Sequence, residues 1–265
     1  MNKNNKHIFD SARIYLLSIP GVNSTMIDDH LNDWKNNIPN SMQKLLFGML
    51  SSVQNKRAMP RSIGPLKELQ PYLEEFDSKK IIAKYGSNWR DGWKKLFRFI
   101  ETNYTPPGRM EIGIPQNAWV IFCKATISAS NFLAGFLDIH DFNKFVSQFY
   151  YNEITRVALP MVLDREVFGL GFTLACDFLK ENGYPKFVKP DIQIERICKS
   201  LSLSKPEADY YEVFKDLIRF SESIEEIPYV VDKLFWLVGS GNFYLNKLRI
   251  KTNILSFVSK VQGMR

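Results

Sequence analysis

The stretch VFGLGFTLACDFLKENGYPKFVKPDIQIERI, residues 167–197, decides how the rest of the chain is read. Gly169-Leu170-Gly171 lies between a short apolar segment, 157–162, and a helical pattern of Leu174, Phe178 and Leu179. The triplet is therefore expected to join two helices packed as a hairpin. Two glycines in three residues permit positive φ. They also leave backbone N–H groups uncovered where the second helix begins, including those at Gly169, Gly171, Phe172 and Thr173, and such a helix start attracts anions. A plain helix-helix turn explains the triplet alone equally well, because a short glycine motif is weak evidence. Further on, Asp191 stands between Pro190 and an amphipathic segment, where it suits a helix N-cap.

A second stretch, SMQKLLFGMLSSVQNKRAM at 41–59, carries Leu45, Leu46, Met49, Leu50 and Val53 at spacings of three and four, which marks the buried face of a helix. It runs into a polar, basic end, Gln54-Asn55-Lys56-Arg57. Alone, that end reads as a solvated helix terminus.

Taken in this order, the two stretches resemble the helix-hairpin-helix DNA glycosylase superfamily, the endonuclease III and adenine glycosylase group. Its members carry a Leu-Ser-x-Gln-like helix, an apolar-Gly-apolar-Gly hairpin, and later an aspartate in a pattern like Val-Asp-x-His-x-x-Arg. Here that last segment is Pro190-Asp191-Ile192-Gln193-Ile194-Glu195-Arg196, with Gln193 in the histidine's place. The resemblance implies that Asp191 is the catalytic carboxylate and that the hairpin grips a DNA phosphate, with Lys189 as a further phosphate contact. Gln54 would fill the gap left by an extruded nucleotide while Asn55, Lys56 and Arg57 meet the backbone. It also implies a monovalent cation on the hairpin carbonyls. Members that cut the strand place a lysine two residues after the second hairpin glycine; here that residue is Thr173. A monofunctional enzyme follows, unless Lys180, Lys186 or Lys189 substitutes and makes it a bifunctional glycosylase/lyase. A damaged base is the first expectation for the substrate and an enzymatically modified cytosine the second. A non-catalytic helix-hairpin-helix DNA-binding protein and a helical scaffold for protein partners stay open as other classes.

Composition agrees with an anion-binding globular protein. The chain has 265 residues, 45% apolar and 14% aromatic, with 35 Lys plus Arg against 28 Asp plus Glu and a pI near 9.2. That balance favours double-stranded DNA as partner, though a basic pI alone is a soft signal. Cys123, Cys176 and Cys198 are too few and too scattered for a disulfide ladder or a four-thiolate iron–sulfur site. Reduced thiols, a cytoplasmic setting, a monomer and no cofactor beyond the cation are expected. The first residues lack a signal peptide's apolar core. Lys124 and Asn131 make the apolar run 118–136 a buried helix rather than a membrane span.

No convincing strand pattern is present, so the expected fold is all-α: a two-lobed helical bundle of the DNA glycosylase type. Residues 41–200 would form the hairpin-bearing bundle, with an insert at about 103–154. Residues 1–40 and 201–265 would form a second lobe. Within this scheme 66–76 is a helix, Trp89, Trp93, Phe97 and Ile100 line a core, and 246–260 is a basic final helix. Phe136, Phe142, Phe145, Phe149, Tyr150 and Tyr151 are core residues by spacing, although they could also sandwich a base, and His140 is a surface residue. Asn23, in a turn that faintly mimics the hairpin, is read as structural.

Overall fold

The structure, a computed structural model, describes residues 3–56 and 59–263. Helices α1 (Lys3–Leu17), α2 (Ser24–Asn32), α3 (Met42–Gln54), α4 (Met59–Ile63), α5 (Ser78–Tyr85), α6 (Trp89–Asn103) and α7 (Ala118–Leu133) come first. Then follow α8 (Ile139–Ser147), α9 (Glu153–Glu166), α10 (Gly171–Glu181), α11 (Ile192–Ser200), α12 (Tyr210–Ser223), α13 (Pro228–Ser240) and α14 (Ile254–Gly263). Among the described residues the sheet content is one ladder, β1 (Asn242–Phe243) with β2 (Leu248–Arg249). The fold is all-α, as expected from the helical periodicity.

Short polar side chains start these helices by satisfying N–H groups that have no partner within a helix. Asn23 accepts from Met26 N, Ser41 from Lys44 N, Asp77 from Lys79 and Lys80 N, and Asp138 from Asp141 N. Asn23 thus has a definite task as the cap of α2 and needs no ligand to explain it.

The chain packs as two units, Met1–Ile38 with Asn152–Val157 and Leu179–Arg265, and Pro39–Tyr151 with Ala158–Phe178. The boundary expected near 200 falls at 178/179. The reason lies in the charges that follow: Lys180 and Glu181 pair with Asp232 and Lys233 of α13, which draws the end of α10 and the whole of 182–200 into the terminal unit.

In the unit holding the hairpin, α7 is the central helix and packs against α3, α5 and α6. Trp119, Phe122, Cys123 and Ile127 are fully buried on it. The segment expected as an insert therefore supplies the core, as an all-round apolar helix must. Trp93, Phe97 and Ile100 are buried as predicted, whereas the side chain of Trp89 lies outside the described residues. The aromatics of 132–149 pack on one another, Phe136 on Phe142 at 5.0 Å between ring centres and Phe145 on Phe149 at 5.3 Å, and Phe142 meets Phe178 of α10 at 6.5 Å. Of the aromatics of 136–151 expected in the core, Phe142 alone is buried; Phe136, Phe145, Phe149 and Tyr150 are half-buried, and Tyr151, like His140, is exposed. Residues 66–76 form a 3-10 segment rather than an α-helix, with Pro71 inside it and Glu74, Glu75 and Phe76 at positive φ. A proline in mid-segment removes a donor that an α-helix would use.

In the terminal unit α13 is central, contacting α1, α2, α11 and α12. The expected final helix 246–260 is the clearest departure. Gly241 ends α13 in the left-handed region, Asn242 pairs with Arg249 and Phe243 with Leu248 around a 3-10 turn at Tyr244–Asn246, and α-helix resumes only at Ile254. Lys247, Arg249 and Lys251 alternate with Leu248 and Ile250, a period of two that belongs to a strand.

Candidate nucleic-acid and catalytic site

Each unit holds one group of the candidate residues. In the first, the chain leaves α9, turns through 167–170 and enters α10. Gly169 and Gly171 sit at φ +79° and +57°, conformations that other residues rarely adopt. At Gly169 space matters as well, because a Cβ there would lie 3.2 Å from Cγ2 of Ile121 on α7. Two further contacts seat the turn on α7. The Phe168 N–H donates to Ser128 Oγ at 2.9 Å, and the Lys124 ammonium lies 5.2 Å from the Phe168 ring and 4.9 Å from that of Trp93. Gly171, Phe172 and Thr173 form the first turn of α10, where N–H groups lack intrahelical acceptors.

The polar end of α3 is fastened to the same helix. Asp177, 4% exposed, accepts from Ser52 Oγ and from Asn55 Nδ2, both at 2.9 Å and both to Oδ2. Gln54 donates through Nε2 to the Gly64 carbonyl, so its amide braces the loop after α3. Lys56 is exposed, and Arg57 lies outside the described residues. Asn55 and the hairpin helix are thus brought together by a carboxylate that sequence reasoning passed over. Its signal was an acid in the apolar run LACDFL, a place where burial without partners is costly. Removing this acceptor leaves the buried Ser52 hydroxyl unpaired, while the exposed Asn55 amide can turn to water. Asp177→Leu is expected to lower folding stability by about 2 kcal/mol, read from the urea midpoint; an unchanged midpoint would contradict the bracing role.

The second group lies in the terminal unit. Asp191 is the N-cap of α11: its Oδ1 accepts from Gln193 N at 2.9 Å and Ile194 N at 3.2 Å. No hydrogen bond reaches its Oδ2 among the described residues, and the side chain is half-buried. The carboxylate therefore caps with one oxygen, and the other has no protein donor among the described residues. The segment leading to it is pinned from α13, where Asp232 accepts the Lys189 N–H through Oδ2 and the Lys180 ammonium through Oδ1. Two residues beyond Asp191, Gln193 lies over Gly239, where an added Cβ would come within 2.8 Å of Gln193 Cβ. Asp191 thus lies between two segments that both meet α13.

Behind it runs a buried charge network. Lys180 and Asp232 are 3% and 1% exposed, and Glu181 Oε1 lies 3.1 Å from Lys180 Nζ and 2.9 Å from Lys233 Nζ. Both ammoniums lie over the ring of Tyr229. Burial pushes the Asp232 carboxyl above its ordinary value despite the Lys180 ammonium. Burial alone would raise Glu181 too, but Lys180 and Lys233 together hold it down at about 2. Burial lowers Lys233. Neither Asp232 nor this role for Lys180 was foreseen, although a charged pair within the apolar run VVDKLFWLV marked the place.

The three cysteines are free and buried, and burial raises the thiols of Cys123 and Cys198. No helix among the described residues is long and apolar enough to cross a membrane.

No protein-family model matches the chain, and no curated protein matches it. Among solved structures, the chain is similar to the crystal structure of Methanocaldococcus jannaschii 8-oxoguanine glycosylase/lyase in complex with 15mer DNA containing 8-oxoguanine. That likeness has 13% sequence identity and a TM-score of 0.48, and covers 92% of this chain and 99% of the other.

Proposed function

We propose that this chain is a helix-hairpin-helix DNA glycosylase that swings a base out of double-stranded DNA and hydrolyses its N-glycosidic bond. The observation that carries the reading is the pairing of a two-glycine hairpin, both glycines at positive φ, with a capping aspartate that keeps one carboxylate oxygen uncommitted. A base stacked in a duplex is out of reach of side chains, so it must be extruded. The N–H groups at the start of α10 suit a phosphate held without regard to sequence. The polar end of α3, braced by Asp177, would then stand at the vacated position, with Gln54 as filler once its amide leaves the Gly64 carbonyl, and Asn55, Lys56 and Arg57 near phosphates. Lys189 would add another backbone contact, and the hairpin carbonyls a seat for a monovalent cation.

Cleavage develops positive charge on the sugar, and a fixed carboxylate stabilises it. Asp191 has that role in this reading, its position set by Asp232 and Gly239. Thr173 offers no amine for a Schiff base. Lys180, the nearest substitute along α10, is buried in an ion pair with Asp232. Both points favour a monofunctional enzyme that leaves an abasic site. Borohydride trapping on a substrate oligonucleotide tests this. We expect no covalent adduct and strand breaks only after alkali; an efficient adduct would make the enzyme a glycosylase/lyase instead. A damaged base is the first candidate substrate and a modified cytosine the second.

A further inference from the structure

We infer that the cleft between α11 and the 251–255 segment is a track for one strand of DNA, with Arg196 and Lys251 as its phosphate contacts, an assignment that rests on the DNA-binding reading above. The cleft holds about 510 Å³ and lies wholly within the terminal unit. Gly239 contributes to it, and Gln193 and Arg196 line it from α11. The facing segment is fixed in place. Thr252 Oγ1 donates to the Gly239 carbonyl at 3.3 Å, Asn253 Oδ1 accepts from Leu255 N at 2.9 Å and Ser256 N at 3.3 Å, and the Tyr15 hydroxyl accepts the Asn253 N–H at 2.9 Å. A wall held at this many points does not need a ligand to give it shape.

Charge identifies the occupant. Arg196 and Lys251 stand on different walls, both exposed, and neither has a hydrogen bond or ion pair among the described residues. No acidic side chain among the described residues lines the cleft. The contrast is a cleft of similar size, about 490 Å³, beside α12. Lys199 and Arg219 there are tied to Glu195, Glu153 and Asp216, and Glu212 and Asp216 line the same walls. Cations committed to carboxylates gain little from a phosphate. Two uncommitted cations in an acid-free groove gain by displacing the counterions that surround a nucleic acid. Just before Lys251, Lys247 in the turn between β1 and β2 and Arg249 on β2 are exposed and extend the basic surface. The cleft also lies on the helix that Asp191 caps, and Gln193, in that helix's first turn, lines it. A strand lying in it passes the start of α11, so the track would carry the backbone past the carboxylate that acts on it.

The test is duplex binding by the full chain, measured by fluorescence anisotropy on a 20-mer between 50 and 200 mM salt. Each phosphate contact contributes about 0.9 to the slope of log affinity against log salt. Arg196→Gln/Lys251→Gln is expected to reduce the slope by about 1.8, with an unchanged melting temperature because both side chains are exposed. Lys199→Gln/Arg219→Gln, which removes the two cations of the mixed-charge cleft that are tied to carboxylates, is expected to leave the slope as it is. An unchanged slope in the first variant, or an equal reduction in the second, overturns the track. Base release by the unaltered protein is scored separately. If no base is released but the slope falls as stated, the enzymatic reading fails and the track stands. If base is released and the slope does not move, the track fails alone.

Discussion

Lys180→Met is expected to lower folding stability by about 3–5 kcal/mol, the cost of leaving a buried charge without its partner. Asp232 would remain 1% exposed, with the Lys189 N–H as its surviving donor among the bonds described above. The double variant Lys180→Met/Asp232→Leu removes the stranded charge and should be more stable than Lys180→Met alone, because apolar pairs replace buried ion pairs at little cost. It should not recover fully, since the Lys189 N–H then loses its acceptor. Urea melts of the three proteins measure this. A double variant no more stable than the single one would show that the ion pair does not set the energetics of this region.

Asp191→Asn is expected to slow base release by about 10²- to 10³-fold, the usual cost of removing one charged or polar group that stabilises a transition state. Stability should barely change, because asparagine caps a helix as well as aspartate does, and the Gln193 and Ile194 N–H groups keep an acceptor. DNA affinity should also hold, as the hairpin and the basic surfaces are untouched. Single-turnover release with enzyme in excess, beside a binding isotherm, separates these quantities. A variant that releases base at the original rate would reduce Asp191 to a cap.

What was legible in the sequence, and what was not, follows from the range of the interactions involved. The start of α11 was readable because a cap is local: Asp191 acts on N–H groups two and three residues away. The two glycines of the hairpin were readable for the same reason. The unit boundary was not, because it is set by Lys180 and Asp232, which lie far apart in the chain and meet only in the folded protein. Asp177 was overlooked on similar grounds, since its partners Ser52 and Asn55 come from a distant helix. The strand-like tail at 247–251 is a different case. Its alternation was in view, but its lysines and arginine were read as a helical basic face. The burial of α7 was legible from its apolar run, but not its central place, which depends on contacts with α3, α5 and α6 that lie far from it in the chain.

The central claim, that this chain releases bases from DNA, is tested most directly by the unaltered protein on a panel of duplex oligonucleotides bearing oxidised, alkylated, deaminated, mispaired and modified-cytosine bases. Free base is detected by chromatography, and the abasic site by alkali in the same sample. The account predicts that at least one substrate yields free base and an alkali-labile site in equal amounts, with the strand intact before alkali. Binding to every duplex with no base liberated from any would contradict it and leave a DNA-binding protein in place of an enzyme.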